Sequence, residues 1–218
     1  RDAEVDDLHH VVEAVALDGF EWRLGENGGV PVATFARQNA SAPFRLDVWI
    51  DPAAEQPVVR LSAPGANGVR GVRWGLRGLD IASSRLILPV AGGVAFDSRQ
   101  PPPRGFAASS ESRWEAPFLL LQSANGGLAV FNAGHQAPFR KLEVADSVAG
   151  AFSLAIETTA RGPWSTGSPD PVEWRIDCYQ GPWTTGANLY KQAAAADWAA
   201  PELPAEASWV RDIRTVII

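Results

Sequence analysis

Apolar and polar residues alternate with a period of two in several segments of this chain. The alternation is clear at 44–50, 152–159 and 173–179. Successive side chains of a β-strand point to opposite faces of the sheet, so each segment is predicted to be a strand with one buried face. Uninterrupted apolar runs at 86–90 and 117–121 predict strands that are covered on both faces or that lie in the core of a sandwich.

Turn-forming residues separate these runs. The triplet Asn125-Gly126-Gly127 lies between two apolar segments and predicts a hairpin whose turn needs positive φ. The segment 98–112 contains three consecutive prolines and few apolar residues, which predicts a long surface loop. The glycines within 68–78 are separated by bulky residues and are interpreted as turn and bulge positions of a strand region.

Helical periodicity occurs at one place, near the end of the sequence. Tyr190, Ala194 and Trp198 recur at intervals of four residues, and Leu189 and Ala193 widen the same apolar face. The pattern predicts a short amphipathic helix with Thr184 or Thr185 as its N-cap. It is the only helix that the sequence predicts.

The predicted fold class is mainly β, a large antiparallel β-sandwich with a C-terminal linker helix. We assign residues 1–180 to the sandwich and 181–212 to a helical linker. The β-branched run at 215–218, within the last segment 213–218, is typical of a buried strand, and such a strand needs neighbours. The expectation is that this strand begins a truncated catalytic barrel and that the chain is the front part of a larger protein.

Composition narrows the range of functions. The chain has 218 residues and a net charge of −6, which argues against a nucleic-acid partner. No apolar run approaches the ~20 residues that span a membrane, so no membrane partner is expected. Cys178 is the single cysteine and cannot form an internal disulfide. The alanine, arginine and proline content suggests a bacterial source, and the compartment, cytoplasmic or secreted, stays open.

Three stretches rich in aromatic residues and glycine carry a resemblance to a known family. They are Trp74 to Leu79 with 86–93, Trp114 to Leu119 with 125–132, and Gly181 to Tyr190 with 198–210. In this order they resemble the N-terminal β-sandwich, of the galactose-mutarotase-like supersandwich type, that precedes a (β/α)8 barrel in many glycoside hydrolases. The resemblance covers residues 70 to 218 and contains no catalytic signature.

The resemblance implies an accessory role for this chain. In such enzymes the catalytic carboxylates lie at the C-terminal ends of barrel strands, so no catalytic residue is assigned here. The sandwich is expected to pack against the barrel, and one of its loops to help wall the sugar site. Related sequences often carry an aspartate where this chain has Asn132, which puts any ligand contact at that position in question.

Candidate acid–base and metal residues give no catalytic pattern. The carboxylate pairs considered are Glu111 with Glu115, Glu143 with Asp146, and Glu157 with Asp177. No spacing among them fixes the ~5 to ~9 Å separation that glycoside hydrolysis requires, so they are interpreted as solvated surface acids. The histidines His9, His10 and His135 do not form a zinc-ligand pattern. Neither a metal nor another cofactor is expected.

Carbohydrate is the expected small-molecule partner. Tryptophan stacks on the apolar faces of sugar rings, and the chain has nine tryptophans, although most in a β-sandwich are core anchors. The candidate carbohydrate-binding residues are Trp49, Trp114, Asn132 and His135. Two alternatives stay open: a freestanding carbohydrate-binding or structural β-sandwich module, and a mutarotase-like epimerase that would rely on His135.

Overall fold

The computed structural model describes residues 21–37, 44–53, 55–62, 71–80, 82–110, 113–132, 134, 139–146, 151–159 and 172–197. In these residues the chain forms strands β1 (Glu21–Asn27), β2 (Val30–Arg37), β3 (Phe44–Asp51), β4 (Gln56–Ser62), β5 (Gly71–Asp80), β6 (Arg85–Leu88), β7 (Val94–Phe96), β8 (Phe106–Ser109), β9 (Phe118–Gln122), β10 (Gly126–Phe131), β11 (Phe139–Asp146), β12 (Ala151–Thr159) and β13 (Val172–Gln180), and helix α1 (Trp183–Asp197).

The strands form two antiparallel sheets. One has nine strands in the order β1-β2-β3-β4-β13-β10-β9-β6-β7, and the other has four in the order β5-β12-β11-β8. The prediction of a mainly-β antiparallel sandwich is therefore confirmed. Strand β13 lies between β4 and β10, so the last strand of the described chain joins the early hairpins to the middle of the sheet.

The main core fills the space between the two sheets. Trp174 of β13 lies at its centre, stacked on Trp114 with 6.1 Å between ring centroids and tilted against Trp74 of β5 at 6.0 Å. Leu154 and Ile156 of β12 face the same core from the four-stranded sheet. The period-two pattern at 152–159 thus has the predicted buried face.

Helix α1 packs on the other side of the nine-stranded sheet. Leu189, Tyr190 and Ala193 contact a second apolar cluster that contains Leu120 and Phe131 of the sheet. Strand β9 is consequently covered on both faces, as its continuous apolar run predicts. The helix begins at Trp183, one residue before the nearer predicted cap, and Trp198 lies outside the described residues.

Two sequence predictions are corrected. The segment 98–112 is not wholly a loop, because 106–109 form β8, which pairs with β11, and Pro102 is buried. The hairpin between β9 and β10 exists, but its glycines do not supply positive φ. Gly126 and Gly127 lie inside β10 with ordinary strand φ. They are required instead by close packing, since a Cβ on either would come within 2.1 Å of a backbone oxygen.

The bulge predicted among the glycines of 68–78 is present. The pairing of β5 with β12 shifts register between Phe152 and Leu154, and Gly78 opposite this shift has φ of +71°. An extra residue in one strand with a glycine in the left-handed region is the usual construction of such a bulge. Arg73 and Arg77 are exposed on this strand.

The remaining expectations about domain organisation lie outside this description. Residues 198–218, which include the proposed end of the linker and the run at 213–218, are not among the described residues. The boundaries 1–180, 181–212 and 213–218 therefore stay predictions. In the part of the chain that the structure describes, no helix has both the length and the apolar character needed to cross a bilayer.

Candidate functional site

A network of polar side chains lies on the outer face of β2, β3, β4 and β13, beside the area that α1 covers. We call it the polar face and define it by Thr34, Asp47, Trp49, Asp51, Gln56, Arg60, Glu173, Arg175 and Asp177. The strand registers bring these side chains together in adjacent cross-strand rows. They come from sequence positions up to 143 residues apart (34 to 177).

The first row is centred on Asp47. Its side chain is only 3 % exposed, yet several groups bind it. Thr34 Oγ1 donates a hydrogen bond of 2.7 Å to Oδ1, and Arg45 Nε lies 2.9 Å from Oδ1 and 3.0 Å from Oδ2. Arg60 Nη2 lies 3.4 Å from Oδ2, and Arg60 Nη1 lies 3.6 Å from Glu173 Oε1. Asp47 is therefore a buried carboxylate that fixes two arginines.

The second row carries the aromatic residue of this surface. Trp49 is half-buried between Val32 and Val58, its partners on the neighbouring strands. The Arg60 guanidinium lies 5.1 Å from the centroid of the Trp49 ring, a distance typical of a cation–π contact. Because Arg60 is held by Asp47, the tryptophan is positioned by a network that begins in a buried carboxylate.

The third row contains Asp51 and Gln56, and its side chains bind Asp177 and the guanidinium of Arg175, which lies in the row of Trp49. Gln56 Nε2 donates a hydrogen bond of 2.6 Å to Asp177 Oδ2, and Arg175 Nη1 donates one of 2.8 Å to Asp51 Oδ2. The Gln56 amide oxygen also accepts a hydrogen bond of 3.5 Å from Arg175. These side chains are half-buried.

The polar face combines one half-buried tryptophan with polar side chains of both charges that bind one another. In the described part of the chain no group of three or more histidine, cysteine, aspartate or glutamate side chains is placed to hold a metal ion. The polar face itself has alternating charges, which disfavours binding a cation through carboxylates alone.

The candidate carboxylate pairs are not brought together where the structure describes both members. Glu157 points away from the core residue Ile156, and Asp177 points away from the core residue Ile176. They lie on opposite outer sides of the sandwich, whose sheets are about 10 Å apart, so their separation exceeds the ~9 Å limit for glycoside hydrolysis. Glu143 pairs with Arg73 and Lys141 instead. Glu111 and the Asp146 side chain lie outside the described residues.

Trp114 occupies the core rather than the surface. It is 3 % exposed, one ring face is stacked on Trp174, and its Nε1 donates a hydrogen bond of 3.2 Å to the Phe118 carbonyl. This placement corresponds to the core-anchor role that is common for tryptophan in a sandwich. A sugar ring would have to displace packed side chains to reach it, so Trp114 is not part of the surface considered below.

Asn132 lies at the end of β10 and is 5 % exposed. Its amide nitrogen donates a hydrogen bond of 2.7 Å to the Glu173 carbonyl, and its oxygen accepts one of 2.8 Å from Arg140 Nη2. Burial lowers the pKa of the Arg140 guanidinium, an effect that Tyr190 partly opposes. Asn132 thus joins β13 to a buried arginine. His135, the fourth candidate, lies outside the described residues.

The sequence interpretation missed most of the polar face. Asp47, Arg60 and Arg175 each lie on the polar side of an alternating strand, where they look like ordinary solvated charges. Only the register that sets Asp47 opposite Arg60, and Arg60 opposite Glu173, shows that they form one network. A sequence signal did exist: Trp49 is the aromatic residue on the polar side of its strand.

Comparison with solved structures identifies a shared fold. The ligand-free α-N-acetylgalactosaminidase NagBb from Bifidobacterium bifidum matches with a TM-score of 0.60 and 9 % identity. Its GalNAc complex and its quadruple mutant match with TM-scores of 0.58 and 0.62, at 10 % and 11 % identity. This chain shares its fold with part of a glycoside hydrolase. No family model and no curated protein matches its sequence.

The match covers most of this chain but only part of the enzyme. It includes 82 %, 81 % and 94 % of the present chain, but 30 %, 30 % and 36 % of the three NagBb chains. The chain therefore spans about a third of the length of the proteins that it resembles. Identities near 10 % establish the fold alone, and they transfer no residue role.

Proposed function

We propose that this chain is the non-catalytic N-terminal β-sandwich domain of a glycoside hydrolase. In this proposal the catalytic carboxylates belong to a barrel that follows the sandwich in the same polypeptide. The sandwich packs on that barrel and shapes its sugar site. The observation that carries the proposal is the fold match, which covers most of this chain and about a third of an α-N-acetylgalactosaminidase.

The arrangement of acidic residues supports the non-catalytic assignment. Glycoside hydrolysis requires an acid and a second carboxylate facing one another across the bond that is cleaved. In the described residues, Glu157 and Asp177 lie on opposite sides of the sandwich, whereas Asp51 and Asp177 are bound to Arg175 and Gln56. Carboxylates held in this way are suited to positioning neighbouring side chains.

The polar face is the part of the domain that we assign to sugar contact. Trp49 supplies an apolar ring, and Arg60, Gln56 and Arg175 supply hydrogen-bond donors beside it. Aromatic side chains with a few placed polar groups are common in small-molecule sites, and a sugar offers both an apolar ring face and hydroxyl groups to such a combination. The same observation supports the second candidate function, a freestanding carbohydrate-binding module, because it requires no barrel.

The test begins with the parent gene beyond Ile218 and the hydrolytic activity of its product. We expect a strand–helix repeat with acidic residues at strand ends, and release of nitrophenol from a nitrophenyl glycoside such as the N-acetyl-α-galactosaminide. A gene that ends at Ile218, with sugar binding by the isolated chain, would instead favour the freestanding module. A product without glycosidase activity would refute the proposed function.

Replacement of Trp49 tests the role of the polar face in that enzyme. We expect Trp49→Ala to raise KM by about fivefold to tenfold with kcat unchanged, which corresponds to roughly 1 kcal/mol of lost aromatic contact. The matched control is Trp183→Ala, which removes an exposed tryptophan from the start of α1. Equal KM values for the two variants would exclude sugar contact at Trp49.

A further inference from the structure

Burial decreases steadily across one cross-strand row of the nine-stranded sheet. The registers align Trp174, Val59, Val48, Ala33 and Leu24 on the face that forms the sandwich core. Trp174 is 1 % exposed and Val59 is 9 % exposed, but Leu24 at the far end is 72 % exposed. The row thus begins inside the core and ends in solvent, although its residues remain apolar throughout.

The neighbouring rows show the same gradient. Phe35 is half-buried and its partner Trp22 is 66 % exposed, while Ile50 is 53 % exposed. Three of the four large apolar side chains that are exposed in the described residues therefore lie on one face. We call this surface the apolar inner face and define it by Trp22, Leu24, Phe35, Val48 and Ile50.

The cause is a difference in width between the two sheets. Strand β5 is one end of the four-stranded sheet, and its Trp74 contacts Trp174 of β13. At the other end, Phe106 of β8 contacts Phe96 of β7, with ring centroids 5.0 Å apart. The four-stranded layer therefore extends from β7 to β13, and the inner faces of β1 to β3 project beyond it.

We propose that the apolar inner face is the docking surface for a further layer of the same polypeptide. The inference rests on the proposed function, because that function supplies the additional chain. The face continues the established interface between the sheets, so a partner seated on it would extend one core. It also fits the comparison, in which this chain corresponds to about a third of a matching enzyme.

The chemistry of the face favours this occupant over a sugar. Trp22, Leu24 and Ile50 have apolar side chains without a hydrogen-bonding group except the indole N–H of Trp22, whereas a sugar needs several donors and acceptors. Interfaces as apolar as a divided core are typical of permanent association. An exposed apolar patch of this kind on a soluble protein normally marks an interaction site.

Hydroxyl-radical footprinting of the intact polypeptide encoded by the parent gene tests the proposal. Oxidation of Trp22 is measured by mass spectrometry and compared with that of Trp114, which is 3 % exposed. We expect similar rates for the two residues. Trp22 oxidation about twentyfold faster than that of Trp114, the ratio of 66 % to 3 % exposure, would overturn the inference.

A pair of variants in the intact polypeptide separates docking from general instability. Leu24→Asp places a charge on the apolar inner face and should increase Trp22 oxidation severalfold. Gly25→Asp is the matched control, since its side chain would enter open space on the opposite face of the same strand. Equal oxidation of Trp22 in both variants would contradict the proposal.

The remaining outcomes distinguish the inference from the proposed function. Protection of Trp22 that disappears on dilution identifies a second copy as the occupant and overturns the inference. An active glycosidase with exposed Trp22 overturns the inference alone. A product with protected Trp22 but without glycosidase activity supports the docking surface and refutes the proposed function. A gene that ends at Ile218 overturns both.

Discussion

Replacement of Gly186 by alanine should destabilise the protein, although the helix alone predicts the opposite. Gly186 lies in α1, where a glycine-to-alanine change ordinarily stabilises by about 0.8–1.0 kcal/mol. Here a Cβ would lie 2.5 Å from Tyr179 Cε1 and 2.8 Å from both Cδ1 and Cζ. The two effects have opposite signs, so the sign of the measured change decides between them.

The steric cost is large because neighbouring atoms prevent the Tyr179 ring from moving away from the added Cβ. A Cβ on Gly127 would be 2.7 Å from Tyr179 Cζ, so the ring is closely packed between two glycines. Its hydroxyl also donates a hydrogen bond of 3.0 Å to Gln122 Oε1. Overpacking of a confined site costs about 1–3 kcal/mol and occasionally more. Because the ring is confined, we take the upper part of this range, about 2–3 kcal/mol, and after the gain in helix propensity is subtracted we expect a net loss of roughly 1–2 kcal/mol.

Thermal unfolding followed by circular dichroism measures this loss. For a chain of this size, 1–2 kcal/mol corresponds to a decrease in Tm of about 2–8 °C. The control Asn188→Ala, on the exposed side of the same helix, should leave Tm unchanged or raise it slightly. In a Tyr179→Leu background, Gly186→Ala should become stabilising. An increase in Tm for Gly186→Ala alone would refute the packing argument.

Two further predictions concern buried polar groups. Asn132→Ala should lower the free energy of unfolding by about 1.5–3 kcal/mol, because it removes a hydrogen bond to the buried Arg140 guanidinium. Urea unfolding measures this loss. A loss below about 0.5 kcal/mol would contradict the role assigned to Asn132. Burial raises the pKa of Tyr179 and of Tyr190. The neutral phenols therefore contribute stability that is complete below a pH of about 10 and is lost as the pH rises through the raised pKa values. These are the chain's two tyrosines, so ultraviolet titration should show tyrosinate forming at higher pH in the folded chain than in urea; coincident curves would count against the buried placement.

The strands could be predicted from the sequence because their signal is local. A strand needs only that alternate residues share a face, and the segments at 44–50, 152–159 and 173–179 record that directly. The apolar runs were equally informative: Leu119 and Leu121 face the sandwich core while Leu120 faces α1. The mainly-β fold class followed from these patterns.

The polar face could not be predicted because its contacts depend on strand order. Asp47 meets Arg60 through one hairpin, but Arg60 meets Glu173 only because β13 is inserted next to β4. The alternation of apolar and polar residues shows which face a residue occupies, but it does not identify the distant strand that lies beside it. The turn explanation for Gly126 and Gly127 fails for a similar reason. A turn is local, whereas these glycines are required by the close approach of Leu121 of β9 and Tyr179 of β13.

The two faces of the β1–β3 region therefore differ in what they can bind. On the outer face, charged groups bind one another around Trp49, so a partner must replace or extend hydrogen bonds that already exist. On the inner face, Trp22 and Leu24 are exposed to solvent, and covering them with an apolar layer removes apolar surface from water, which is favourable. Because Trp49 and Leu24 project from opposite sides of one sheet, a single barrel packed on the inner face would not contact Trp49. The sugar-contact and docking proposals are thus compatible in one molecule only if a separate loop of the enzyme extends around the sheet and brings the sugar site to that side.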